Sequence, residues 1–265
     1  MAKTKRKVYI DIHTKNKSFL LTYLELKNLG IKNNRFFLRL YDKDLVGVDP
    51  YDEDLSDVYK AKIIKEVARN PWYFYREVSR IEVPGGISGF KLHRGNLALL
   101  WSLHKCINTI LLLPRQNFKT MSSCCFYSYV YDIKSENSTF TFTNKEFPDA
   151  KLNVKRLKDT RNLLPSYLVM RDPKDNDNIE YISNVKKGNT VRAIPPGTDA
   201  ISADKKGRGL TSPNQWYDEL AFLKFNKEMY MSASPAFSQA KIEAKANGNT
   251  YAKLITTTPK NCWAV

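Results

Sequence analysis

The sequence predicts an α/β fold, with a mostly parallel central sheet flanked by helices and a largely helical extension ahead of it. Three observations predict it. Beyond residue 95, strand-type apolar runs alternate with helix-type stretches, the order that builds parallel β-α-β units. "STFTFTN" alternates with period two, as a strand does. "LLLPRQNFKT", residues 111 to 120, joins the apolar run Ile110 to Leu113, read as a buried strand, to the helix-compatible "MSSCCFYSYVYDI". Strand, loop, Lys-Thr, helix is the order of a nucleotide-binding P-loop. The expected division is an extension over 1–95 and a P-loop NTPase domain over 96–265.

In the extension, "FLLTYLELKNLGI" has helical spacing at Phe19, Leu20, Tyr23, Leu24 and Leu26. "YDKDLVGVDPYDEDL" reads as a loop with turns at Gly47 and Asp49-Pro50. A helix beginning near Asp57 places Val58, Ala61, Ile64, Val67 and Ala68 on one face. Pro71 interrupts it, and "WYFYREVSRI" reads as another helix, "VPGGISGF" as a loop and "NLALLWSLHKCI" as a helix leading into the P-loop strand.

Beyond the P-loop, "DAKLNVKRLKDTRNLL" is a helix with Leu152, Val154, Leu157 and Leu163 apolar. "IEYISNV" and "TVRAIP" are short strands around Lys187-Gly188-Asn189. "PPGTDAISADKKGRGLTSP" reads as a polar loop. "SQAKIEAKANG" is a helix closed by Gly248, and "TYAKLITTTP" a strand ending at Pro259.

Composition narrows the function classes. Hydrophobic residues are 42% and aromatics 12%, enough for a sizeable core. Net charge is +16, which favours a polyanion such as nucleic acid through phosphate neutralisation. The start "KTKRK" is basic, and solvation is the simpler reading of it. Cys106, Cys124, Cys125 and Cys262 form no C-x-x-C pair, so neither a disulfide nor a zinc framework is expected. His13, His93 and His104 are too scattered for a metal site. No apolar run reaches the ~18 residues of a membrane span. "MAKTKRKVYIDIH" lacks the apolar core of a signal peptide, so a cytoplasmic location is expected.

Two further motifs stand in the order an ATPase requires. "WYDELAF" holds Asp218 and Glu219: in P-loop enzymes an Asp at a strand end positions the Mg²⁺ shell, and the next Glu can orient the attacking water. "LITTTP" is an apolar strand ending in Thr256, Thr257 and Thr258, whose hydroxyls can sense the γ-phosphate if that strand neighbours the P-loop strand. Taken singly, an Asp-Glu pair is usually surface charge and a threonine run usually β-propensity.

In combination these segments resemble the large terminase subunit, the ATP-driven DNA-packaging motor of tailed bacteriophages, over about residues 70 to 260. "NPWYFYREVSRI" resembles a helix ahead of the motor core. "PRQNFKT" resembles the terminase Walker A loop, which commonly reads Ser-Arg-Gln-x-Gly-Lys-Thr. "GRGLTSPNQWYDELAFL" resembles the loop and Walker B segment, and "ITTTP" the coupling motif. The resemblance implies ATP and Mg²⁺ as cofactors. It gives Lys119 the β- and γ-phosphates, Thr120 the Mg²⁺, and Arg115 the transferring phosphate charge, with Pro114, Gln116, Asn117 and Phe118 in the same loop. It gives Asp218 the Mg²⁺ shell, Glu219 the activation of water, and Thr256 to Thr258 the coupling to movement. Arg208 in "KKGRG" is either a finger reaching a neighbouring subunit's ATP or a solvated or DNA-facing arginine. Asn96 stands where terminases place an adenine-reading glutamine, with the same amide but a shorter reach.

The implied partners are double-stranded DNA, the portal protein, the small terminase subunit and copies of the chain in a ring on the procapsid. The implied location is the cytoplasm of the infected bacterial host.

Three departures qualify the resemblance. Phe118 replaces the loop glycine, at ~1–2 kcal/mol if the backbone there needs φ > 0. "TSPNQWY" is a poor buried strand. The chain stops at "TTTPKNCWAV", where the family carries an RNase H-type nuclease domain. No nuclease activity is therefore expected, the acidic "DPYDEDL" and "RDPKDNDN" reading as solvated loops, and a separate chain is a possible source of that half. The rival readings are a non-hydrolysing assembly or binding module and a helicase-like P-loop ATPase.

Overall fold

The computed structural model describes residues 8–114 and 118–259. The "KTKRK" start, Arg115, Gln116, Asn117 and the final "NCWAV" lie outside the described residues. The chain divides into two compact units, Met1–Leu97 with Thr160–Val169, and Ala98–Asp159 with Met170–Val265.

In the first unit, β1 (Tyr9–Ile10) leads into α1 (Lys17–Asn28), and β2 (Arg39–Leu40) pairs antiparallel with β1. α1 buries a narrow stripe of Phe19, Thr22 and Leu26, with Leu24 exposed. α2 (Asp57–Arg69) buries Ile63, Glu66 and Val67, so the expected face through Val58 and Ile64 is wrong, and both are exposed. A carboxylate causes the rotation. Glu66 points inward and accepts from the Tyr41 N–H (3.1 Å), the Asp42 N–H (3.2 Å) and Asn70 Nδ2 (2.7 Å). Apolar periodicity cannot foresee an inward glutamate that satisfies buried backbone donors.

α3 (Pro71–Tyr73) opens into a π-helical turn, Phe74–Val78, and the helix ends there instead of running through "SRI". β3 (Arg80–Val83) and β4 (Gly86–Gly89) then form a hairpin in "VPGGISGF", where the sequence pattern predicts a loop. Gly85 and Gly86, at φ +94° and +138°, make this tight reversal possible.

α4 (Arg94–His104) begins in the first unit and ends in the second. It is followed by β5 (Thr109–Leu112), α5 (Lys119–Tyr129), β6 (Thr139–Thr143), α6 (Phe147–Asn162), β7 (Tyr181–Asn184), β8 (Asn189–Ile194), α7 (Ala200–Arg208), β9 (Asn214–Asp218), α8 (Asn226–Ala246) and β10 (Ala252–Thr257). The six-stranded sheet has the order β5-β10-β9-β6-β8-β7. Every neighbouring pair is parallel except the β7–β8 hairpin. The α/β architecture with a mostly parallel sheet and flanking helices is as the sequence predicts. Its core is aromatic: Trp216 stacks on Tyr127 at 5.7 Å between centroids, with Phe142 edge-on at 4.9 Å.

Four local expectations fail. The strand before the P-loop is not buried: β10 inserts between β5 and β9, β5 lies at the sheet edge, and Ile110 and Leu112 are 68% and 61% exposed. β9 is buried throughout despite its amides, because Asn214 Nδ2 donates to Thr250 O (3.0 Å) and Gln215 Nε2 to Leu210 O (3.0 Å). The "KKGRG" loop is the end of α7, a helix N-capped by Asp199, which accepts from the Ser202 N–H at 2.8 Å. α8 starts well before "SQAKIEAKANG" and carries Pro235 within it.

Candidate functional site

Because β5, β10 and β9 are adjacent and parallel, their C-terminal ends open on one edge of the sheet, where α/β folds place ligands. The threonine strand is thus the neighbour of the P-loop strand, as the sequence reading required. Phe118 holds φ +52° and ψ 17°, the left-handed region in which glycine is the usual loop residue. α5 begins at the next residue with no side-chain cap, so its first turn presents backbone N–H groups, as a phosphate site does.

Lys119, 8% exposed, is the first residue of α5. Its Nζ donates to Glu219 Oε1 and to Thr258 Oγ1, both at 2.7 Å. Glu219 Oε2 accepts from the Thr258 N–H at 2.9 Å, and the Thr258 hydroxyl donates to Oε1 at 2.9 Å. Glu219 is itself left-handed, at φ +53°, and its N–H donates to Thr256 O at 2.6 Å. The residue after β9 is thereby turned back across the end of β10. Thr257 Oγ1 reaches Glu219 Oε2 only at 3.5 Å.

Asp218 is held differently. Its Oδ1 accepts from Thr256 Oγ1 at 2.6 Å, and that hydroxyl accepts from Trp216 Nε1 at 2.8 Å. Its Oδ2 accepts from Asn153 Nδ2 (3.1 Å) and Asn144 Nδ2 (3.3 Å), and Arg156 Nη1 donates to Asn153 Oδ1 at 3.0 Å.

Burial pushes the Asp218 carboxyl above the usual carboxylate range, and its Thr256 and Asn153 donors oppose the shift without reversing it. Burial also works to raise Glu219, but the Lys119 ammonium and the Thr258 donors together outweigh it and hold the carboxyl low. Adjacent carboxylates in environments that push them apart are suited to different tasks. Glu219 is an ionised acceptor at the mouth of the site, and Asp218 a buried carboxyl with both oxygens engaged.

These residues suit a nucleotide with a hard cation. Among the described residues there is no cluster of three or more His, Cys, Asp or Glu. Mg²⁺ at nucleotide sites needs no such cage, because it keeps several waters and is shared with the ligand's phosphates. The half-buried Thr120, one residue into α5, and Asp218 would supply the protein side, and Lys119 with the α5 N-terminus the phosphate side.

The other candidates lie as follows. Pro114 is exposed at the loop's start, and Arg115, Gln116 and Asn117 lie outside the described residues. Arg208 ends α7, exposed, its Nε donating to Asp204 at 2.7 Å. Asn96 belongs to the first unit, where its Oδ1 accepts from the His93 N–H and its Nδ2 donates to Lys91 O, each at 2.8 Å. Asn144, Asn153 and Trp216 are the residues that sequence reasoning missed. The only local signal was a polar Asn153 between Leu152 and Val154 of an amphipathic helix.

No family model matches the chain, and no curated protein matches it significantly. Among solved structures, it is similar to the large terminase of bacteriophage HK97 at 13% identity and a TM-score of 0.48, over 75% of this chain and 37% of that one. It is similar to the Thermus phage P74-26 large terminase ATPase domain at 16% identity and a TM-score of 0.42, over 66% and 68% of the two chains. For the large terminase of a thermophilic bacteriophage, in complex with ADP, the identity is 20% and the TM-score 0.43, over 63% and 39%. These neighbours are phage large terminases, and the match spans under two thirds of the length of the HK97 chain and of the ADP-bound one. The fold and the site described above stand on this chain's own geometry.

Proposed function

We propose that this chain is the ATP-hydrolysing motor part of a phage terminase large subunit, which drives double-stranded DNA into a procapsid. The observation that carries the reading is the convergence on Glu219 of a P-loop lysine and a strand-end threonine, Lys119 and Thr258, which lie 139 residues apart in the sequence. The terminase-like order of the motifs and the +16 charge support it.

Bound Mg²⁺ would supply neutralisation of phosphate charge. The chain's own residues do the rest. Lys119 gives up Glu219 and Thr258 for phosphate oxygens. The freed Glu219 carboxylate accepts a proton from the attacking water. Asp218, its oxygens fixed by Thr256, Asn153 and Asn144, would hold the metal's water shell. Thr256 binds Asp218 and Thr258 binds Glu219, so a change of partner at Lys119 is felt directly by the end of β10. Arg115, and Arg208 from a neighbouring copy in a ring, are the candidates for stabilising the transferring phosphate. The portal protein and the small terminase subunit are the partners this role entails.

The test is ATP binding by calorimetry, and turnover with and without DNA, for the wild type and Lys119→Ala. The variant should bind at least tenfold more weakly, and equal affinity would refute the assignment. One observation favours a second reading, a non-hydrolysing assembly module: the strained Phe118, about half exposed, where a phosphate loop usually has glycine. ATP binding with no turnover under any condition would select it.

A further inference from the structure

The metal side of the site depends on which way one side-chain amide faces. Asn153 is fully buried, and its Nδ2 donates to Asp218 Oδ2 at 3.1 Å. An amide can present either its NH₂ group or its oxygen, and a carboxylate accepts only the first. Turned over, the Asn153 amide would set its own oxygen against Oδ2, acceptor facing acceptor in a buried place.

The orientation is decided on the far side of the amide. Arg156 stands three residues further along α6, and its Nη1 donates to Asn153 Oδ1 at 3.0 Å. A guanidinium has donors and no acceptor, so it keeps the amide oxygen toward itself and the NH₂ group toward Asp218. A charged donor on that oxygen also polarises the amide and strengthens its NH₂ group as a donor. Asn144, the second amide on Oδ2 at 3.3 Å, is set locally: its Oδ1 accepts from the Lys145 N–H at 2.7 Å. Of the two amides, Asn153 is the one oriented by another side chain.

The consequence for Asp218 follows from counting lone pairs. Oδ2 accepts twice, from Asn153 and Asn144, and Oδ1 once, from Thr256 at 2.6 Å. Each carboxylate oxygen has room for about two hydrogen bonds, so the open position is on Oδ1, where a water of the metal shell would donate. The two oxygens belong to one rigid plane. An overturned Asn153 would push Oδ2 away and swing Oδ1 out of line with it.

We propose that Arg156 is a positioning residue for the metal site, holding the Asn153 amide in the one orientation that aims Asp218 Oδ1 at the metal's water shell. The inference rests on the nucleotide and Mg²⁺ reading given above. Groups behind the ligands of a metal orient those ligands, and their loss typically costs ~10–100-fold in metal affinity.

The experiment is calorimetry of a non-hydrolysable ATP analogue binding to the full chain as Mg²⁺ is raised from zero, which reads the metal requirement without turnover. The wild type is compared with Arg156→Met, Asn153→Ala and the double variant. Methionine fills a similar length without a donor. Arg156→Met should raise the Mg²⁺ concentration for half-maximal tightening about tenfold or more, with the Mg²⁺-free affinity unchanged. In the Asn153→Ala background the same substitution should add no further loss, because no amide is left to orient. A wild-type Mg²⁺ requirement in Arg156→Met overturns the proposal. So does an equal loss of affinity with and without Mg²⁺, which is the mark of a merely structural arginine, and so do additive losses in the double variant. Nucleotide binding that ignores Mg²⁺ in the wild type is a different result: it refutes the metal reading of the site, and the proposal falls with it.

Discussion

Glu219→Gln separates the two roles of this carboxylate. In the structure Glu219 holds Lys119 at 2.7 Å, so nucleotide must compete with it for the ammonium. The amide keeps the size and one acceptor but not the charge. A hydrogen bond to a charged group contributes ~1.5–3 kcal/mol and a neutral one ~0.5–1.5. The substitution therefore weakens Lys119's hold by about 1–1.5 kcal/mol, and ATP should bind about five- to tenfold more tightly. Hydrolysis should move the other way. An amide cannot take the water's proton, and loss of a general base costs ~10²–10⁴ in rate. Calorimetry with ATP and steady-state phosphate release measure the two effects on one preparation. Turnover at the wild-type rate would refute Glu219 as the base. Weaker ATP binding would refute the competition for Lys119.

Phe118→Gly should relieve the ~1–2 kcal/mol of left-handed strain at φ +52° while losing ~0.5–1 kcal/mol to the freer unfolded chain. Urea unfolding should show a gain of no more than about 1.5 kcal/mol and ATP affinity should rise, whereas Phe118→Ala, which keeps the strain, should not match it. Asn153→Ala strips a donor from buried Asp218 and should cost ~1–3 kcal/mol in the same assay, and a neutral result would show that Asn144 and Thr256 suffice. Lys253 lies against the rings of Tyr230 and Phe237, and burial pulls its pKa down from 10.5 to about 8. Between those values the unfolded chain binds the proton and the folded chain does not, so this lysine's contribution makes stability rise with pH across that window. Denaturant unfolding at pH 8 and pH 10 should show that rise in the wild type relative to Lys253→Met, and parallel curves would exclude it.

What was legible in the sequence was local. Period-two alternation located β6, the Lys187-Gly188-Asn189 turn located the β7–β8 hairpin, and the Lys-Thr step located the start of α5, because each signal lies within one element or turn. The cost assigned to Phe118 from its position alone matches the backbone, which is left-handed there. Readings failed where a distant residue decides the outcome. β9 looks like a poor strand because its stabilising partners, Leu210 and Thr250, are not in its own pattern. α2 turns on Glu66, which serves backbone donors at the end of β2, 24 and 25 residues away. β5 looked buried because an apolar run does not reveal whether a strand stands on one side of it or both. The site divides in the same way. Lys119, Asp218, Glu219 and Thr258 were legible as candidates because each has suitable chemistry at the end of a recognisable element, and the structure brings them together. Asn153 reaches Asp218 across 65 residues, and its helical pattern marks only an amide on an apolar face. Burial and Lys119 set the two carboxyls apart in acidity, while that amide and Thr256 decide what each is free to do, for they tie up Asp218 and leave Glu219 to Lys119. The difference on which the proposed division of labour rests is therefore a product of the sheet order, which places β10 between the P-loop strand and the acidic strand.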